Sequence, residues 1–306
     1  MDRRAAWVLG ILFGGLFLCL FSFLFLFYTA IKSESGSPSS ISTGSAVGVL
    51  EVTGEIGDAK KFLKDVREFE HDDGVKAVVL RVNSPGGAVG PSQEMYDALW
   101  RLKKKKKVIV SMGSLAASGG FYIACAGDKI YANPGTLTGS IGVIMQAPNV
   151  EGLMKWAGVS MNTIKAGKMK DMGNPFREMK PEERQYLEAV LEDVHQQFIE
   201  AVARGRNMKV SEVAPLAEGQ IFSGRQAQEK KLVDALGGFD DAVAEAGKLG
   251  GISGEPKLRY PKHDKKLLKE IFGDEEAESL FHGAASTLSQ ALGTGGGGLQ
   301  YRMPVP

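Results

Sequence analysis

Three small-residue loops and one lysine-rich loop hold the side chains of this 306-residue chain best suited to chemistry. The first is Asn83-Ser84-Pro85-Gly86-Gly87, where two glycines let the backbone turn sharply and approach a ligand closely. Exposed N–H groups in such a turn can hold a developing oxyanion. The second, Gly113–Tyr122 (GSLAASGGFY), places Ser118 among small residues where a helix should begin. The positive field of a helix start suits a nucleophile whose intermediate carries negative charge. The same position also suits a plain N-cap serine. The third, Gly135–Val143 (GTLTGSIGV), offers hydroxyls able to orient an amine by hydrogen bond.

A serine nucleophile needs a base. The four histidines, His71, His195, His263 and His282, all fall outside these glycine-rich loops. A lysine can serve if burial or its neighbours keep it neutral near pH 7. Thr163–Pro175 (TIKAGKMKDMGNP) carries Lys165, Lys168 and Lys170 in an irregular stretch able to fold over a site.

The elements that must position these loops alternate. Strands are expected at 46–53, 75–82, 108–112, 129–132 and 141–146, with an extended stretch at 160–165. Helices are expected at 59–70, 91–105, from about 118, and at 151–156, 181–204, 224–230 and 239–249. Alternation of this kind argues an α/β fold with a largely parallel sheet. The lysine run Lys103–Lys107 reads as a solvated helix end.

Composition frames the rest. The chain has 37 basic and 36 acidic residues and a net charge of +1, which argues against a nucleic-acid partner. Six of its 15 Phe lie between Phe13 and Phe27. Trp7–Tyr28 holds no charge and, as a helix, spans about 33 Å, enough to cross a bilayer core. Arg3 and Arg4 precede it, so the N-terminus should stay in the cytoplasm and the body cross the membrane. Setting aside Arg3, Arg4, Lys32, Asp2 and Glu34 leaves a body with 34 residues of each charge. The expected organisation is a cytoplasmic start (1–6), a transmembrane helix (7–28), a Ser/Gly linker (29–45), a catalytic domain (46–258) and a C-terminal helix with a Gly-rich tail (259–306). Cys19 and Cys125 have no metal-ligand spacing and should not pair. No metal or cofactor is expected.

In their order, NSPGG, LAASGGFYIA, TGSIGVIM and AGKMKDMGNP resemble the signal peptide peptidase A family, in its short, single-repeat bacterial form. Gly219–Val243 is similar to the family's late segment. The resemblance implies a crotonase/Clp-protease-like α/β fold of repeated ββα units. It further implies a serine endopeptidase with a Ser/Lys dyad, Ser118 matching the nucleophile and Lys170 the base. Gly86 and Gly87 match glycines implied to share an oxyanion hole with the Ser118 amide. Ser140 matches a serine implied to hydrogen-bond the lysine. Phe121 departs from the tyrosine more usual after the S-G-G run. Implied partners are signal-peptide remnants and other apolar peptides, the bilayer, and further copies in a ring. The implied location is the bacterial inner membrane, with the catalytic domain on its outer face. The competing readings are a Clp-like Ser/His/Asp protease, a crotonase-type acyl-CoA enzyme, and a non-catalytic membrane scaffold.

Overall fold

The run Val75–Val82 (VKAVVLRV) has too few polar residues for a half-exposed strand, and it lies at the centre of the sheet. The computed structural model describes residues 44–262 and the backbone of Gln300–Arg302. In chain order the elements begin with β1 (Ala46–Thr53), α1 (Lys60–His71), β2 (Val75–Ser84), β3 (Gly86–Ala88) and α2 (Val89–Lys103). There follow β4 (Lys107–Ala117), α3 (Gly119–Ala124), β5 (Lys129–Ala132), β6 (Leu137–Gly139), α4 (Glu151–Trp156) and α5 (Pro181–Arg206). The last are α6 (Val210–Val213), β7 (Ile221–Ser223), α7 (Gly224–Glu229), β8 (Ala235–Leu236), α8 (Phe239–Leu249), β9 (Lys257–Arg259) and β10 (Gln300–Arg302).

The main sheet runs β7-β6-β4-β2-β1-β9, with β5 joining β4 to β8. Its central pairs are parallel, and only β6–β7 is antiparallel. Period-two alternation splits β2 between two cores. Val78, Leu80 and Val82 face the larger one, with Phe62 and Phe69 of α1 and Leu99 of α2. Ala77 and Val79 face Ala242, Val243 and Ala246 of α8. The mixed α/β architecture agrees with a Clp-protease-like core.

One aromatic cluster ties the helices behind the site together. Tyr96 of α2 meets Tyr122 of α3 at 4.9 Å between ring centroids, and Tyr122 meets Phe198 of α5 at the same distance. The Tyr96 hydroxyl donates to Ala201 O at 3.2 Å.

Several expectations shift. β2 and β4 extend beyond 82 and 112, so both reach the proposed site. Between the expected 75–82 strand and 91–105 helix, where only a loop is expected, Gly86–Ala88 form β3. No strand forms over 141–146; the strand is Leu137–Gly139 instead. The reason is the turn after it: Gly139 (φ 81°) and Ser140 (φ 51°) redirect the chain, and the Ser140 N–H donates to Gln220 O. The 160–165 stretch pairs with no strand among the described residues. The lysine run is more engaged than a solvated helix end. Lys103 donates to Gly127 O, Lys106 to the Phe69 and Asp72 carbonyls, and Lys105 pairs with Glu70. The expected span Trp7–Tyr28, His263 and His282 lie outside the described residues, among which no helix is long and apolar enough to cross a membrane.

Candidate active site

β4 carries the chain to Ala117, and α3 leaves from Gly119. Ser118 between them has φ 53° and ψ −121°, a backbone region that costs a non-glycine residue about 1–3 kcal/mol. Its N–H donates to Gly139 O at 2.8 Å, which fixes the turn to β6. The residue is fully buried, and Oγ has no hydrogen-bond partner among the described residues. An unpaired buried hydroxyl is itself unfavourable by about 1–3 kcal/mol. Neither cost is needed to end a strand and begin a six-residue helix, so the serine holds a high-energy posture that its surroundings impose.

Those surroundings are the β2–β3 turn. A Cβ built on Gly119 would lie 2.6 Å from Ser92 Oγ, 3.2 Å from Gly87 N and 3.3 Å from Gly86 Cα. One on Gly120 would lie 2.8 Å from Ser84 O. The first turn of α3 therefore rests directly on the two glycines, an approach that leaves almost no room for a side chain. Gly86 (φ 99°) donates its N–H to Ser84 Oγ at 3.1 Å, and Ser92 Oγ donates to Ala88 O at 2.8 Å. On one side β3 is held by Ile56: Ile56 N–H donates to Gly86 O, and Ala88 N–H to Ile56 O. Along the other side it pairs antiparallel with β10, Tyr301 opposite Gly87. β3 thus accepts an extended backbone next to the serine.

Ser140 joins this group through Gly139, whose carbonyl binds the Ser118 amide. Ser140 is buried, and its positive φ follows from the same turn. Beneath it Thr138 Oγ1 donates to Ala116 O at 2.6 Å, tying β6 to the end of β4. The structure thus brings together Ser118, Gly86, Gly87 and Ser140.

Lys170 stands apart from them. Its side chain is exposed and makes no hydrogen bond to Ser118 or Ser140. Its loop is pinned instead through Asp171, whose carboxylate pairs with Lys165 and with Arg177. Arg177 in turn grips Glu183 in the first turn of α5. Around this loop, large apolar residues face outward: Leu153, Trp156 (85% exposed), Met161 and Ile164 (101%). Of the histidines, His71 bonds Arg67 O and His195 bonds Ala217 O. Residue-by-residue reading of the sequence missed Ser84, Ser92 and Arg177. Ser84 stood inside the quoted NSPGG run, whereas Ser92 and Arg177 lie just beyond the glycine-rich segments that drew attention.

Comparison with known proteins places the chain among peptidases. The model of peptidase family S49 matches residues 101–253, and that of Clp protease matches residues 49–151. A Synechocystis protein carried under a protease name is 42% identical over 241 residues, covering 78% of this chain and 87% of that one. The Enterococcus faecium protein named for signal peptide peptidase SppA is 34% identical, covering 85% and 77%. Protease 4 of Salmonella typhi is 35% identical, covering 68% of this chain and 35% of that protein.

Proposed function

As a member of peptidase family S49 the chain is a serine peptidase, and we propose that Ser118 is its nucleophile and Lys170 its general base. The observation that carries the reading is the posture of Ser118: strained, buried, hydroxyl unpaired, and set against the Gly86–Gly87 turn. In the proposed reaction neutral Lys170 takes the hydroxyl proton as Oγ attacks a peptide carbonyl. The tetrahedral oxyanion forms beside the Gly86–Gly87 turn, and Lys170 then protonates the leaving amine. Water resolves the acyl-enzyme. The Gly87 amide nitrogen stands 3.2 Å from where a Cβ on Gly119 would lie, beside the first turn of α3. The amides of Gly86 and Ser118 are engaged in this state by Ser84 Oγ and Gly139 O, so their use requires those bonds to exchange. Ser140 is placed in the role of orienting the incoming lysine amine.

The substrate is read as an extended, apolar peptide, including remnants of signal peptides. Support comes from the antiparallel β3–β10 pair, which shows how backbone lies against the glycine turn. We place the enzyme at the outer face of the bacterial cytoplasmic membrane, held by Trp7–Tyr28 as a single-pass anchor. An exposed lysine is a poor base, because water favours its charged form. The outward Trp156 and Ile164 supply a surface on which a second copy can pack and desolvate the Lys170 loop, in keeping with a homo-oligomeric ring. The Clp-like Ser/His/Asp reading finds less support, since His71 and His195 are committed to backbone carbonyls. The test is hydrolysis of an apolar peptide by wild type, Ser118→Ala and Lys170→Ala. Loss of turnover in both variants is expected, and undiminished activity in either would overturn its assignment.

A further inference from the structure

Among the described residues, no side chain of the 163–175 loop belongs to the hydrophobic cores. Between it and the start of α5 lies a cavity of about 460 Å³, lined in part by Asn174, Arg177, Met179 and Arg184. Among the described residues, what joins the two sides is the Arg177 guanidinium. Arg177 Nε donates to Asp171 Oδ2 at 3.0 Å. Nη2 donates to Asp171 O at 3.0 Å and to Glu183 Oε1 at 2.6 Å. Nη1 donates to Glu183 Oε2 at 2.8 Å and to Glu178 O at 3.0 Å. An arginine has five N–H donors, and each has an acceptor here. Glu183 is buried on the far side and also accepts the Lys180 N–H at 3.1 Å, so the anchor point is itself fixed to the helix start.

Asp171 is the residue next to Lys170. Left alone, its carboxylate would favour the charged form of a neighbouring lysine and so oppose its use as a base. Arg177 and Lys165 both pair with that carboxylate. The remaining charges on this loop and the elements against it are Lys168, then Glu178, Lys180, Glu182 and Arg184 at the α5 end, and Glu151 of α4, which is paired with Lys155.

We propose that Arg177 is a positioning residue for catalysis: it fixes the Lys170 loop to the first turn of α5 and compensates the Asp171 carboxylate beside the base. The proposal rests on the reading of Lys170 as the base. It assigns a part in the reaction to a residue outside the Ser/Lys pair, through geometry and charge.

The experiment measures kcat, KM and the pH dependence of kcat/KM for peptide hydrolysis by the full chain and four variants. Lys170→Ala is the reference: if it keeps wild-type activity, the base assignment fails irrespective of Arg177. With that reference inactive, Arg177→Gln is expected to lower kcat roughly 10–100-fold with little change in KM, as misplacement of a reacting group does. It should also move the ascending limb of the profile upward, because Asp171 is then less compensated. Asp171→Asn should move the limb downward. Arg177→Lys keeps the charge but loses the fork, so it should leave the limb in place with part of the activity restored. A purely structural role would reduce the active fraction without moving the limb. Limbs that coincide in Arg177→Gln, Asp171→Asn and wild type would overturn the proposal, as would a wild-type kcat in Arg177→Gln.

Discussion

Replacement of Gly119 by alanine tests whether the serine turn and the glycine turn are one packed unit. The new methyl would stand 2.6 Å from Ser92 Oγ, which must rotate away and give up its bond to Ala88 O. A lost hydrogen bond of this kind is worth about 1 kcal/mol. Gly87 N at 3.2 Å and Gly86 Cα at 3.3 Å are backbone atoms that must each yield by a few tenths of an ångström. The total falls in the overpacking range of about 1–3 kcal/mol. Ser92→Ala alone should cost about 1 kcal/mol, leaving the Ala88 carbonyl short of a donor. In the double variant the obstructing hydroxyl is already gone, so the hydrogen-bond loss is counted once. The double variant should therefore be about 1 kcal/mol more stable than additivity allows. The assay is urea unfolding of wild type, both single variants and the double variant, with peptide turnover measured on each. Turnover should fall in Gly119→Ala beyond what the folded fraction explains, if the displaced Gly86 and Gly87 atoms hold the oxyanion as proposed. Strict additivity, or full activity in Gly119→Ala, would refute the claim that the two turns share one contact.

Ser118→Gly should abolish hydrolysis while raising unfolding stability by about 1 kcal/mol or more, because it removes both the unfavourable φ and the unpaired hydroxyl. Lower stability in chemical denaturation would count against strain at this position. Burial pushes the Cys125 thiol up to about 12, so with Cys19→Ser in place alkylation at pH 8 should await unfolding. Labelling at the rate of a free thiol in native buffer would show the α3 end to be open. The hydrogen bonds from Arg177 lower the Glu183 carboxyl from 4.5 to about 2. The depressed folded value means the stabilisation is complete above about pH 4.5 and is lost as pH falls through about 2. Pepsin should therefore spare the 165–179 segment of wild type at pH 3.5 and nick it in Arg177→Gln, and equal cleavage of the two would be the contrary result.

The sheet was legible because its centre obeys simple rules. Val75–Val82 is apolar on both faces, and α1 shows Phe62, Val66 and Phe69 on one side. The serine loop was legible because glycines mark close backbone approach: Gly120 and Gly87 would each set a Cβ against backbone under 3 Å away, and Gly119 is packed tightly against Ser92 and the glycine turn. β3 was not, since three residues with two glycines read as a loop until a neighbour supplies the pairing. The apolar run after Ser140 read as a strand, yet the left-handed Gly139–Ser140 pair placed the strand before it instead. The role of Arg177 was invisible because a clamp is a property of three partners brought together by folding.

The same contrast between local and assembled features leads to the prediction that activity depends on contacts beyond one chain. The serine half of the site is built by elements close in the fold, and its strain is already present. The lysine half sits on an outward loop flanked by Trp156 at 85% and Ile164 at 101% exposure. In a lone copy these two side chains touch little, so Trp156→Asp or Ile164→Asp should change unfolding stability by no more than about 0.5 kcal/mol. If a second copy covers this surface and desolvates Lys170, each substitution should also lower turnover per chain by about tenfold or more at submicromolar enzyme. Added protein concentration should restore part of the loss, by mass action. Sedimentation velocity would follow assembly in parallel with peptide hydrolysis. Wild-type turnover from a variant that sediments as a monomer would refute the argument, because Lys170 would then be acting as a base while still exposed to water.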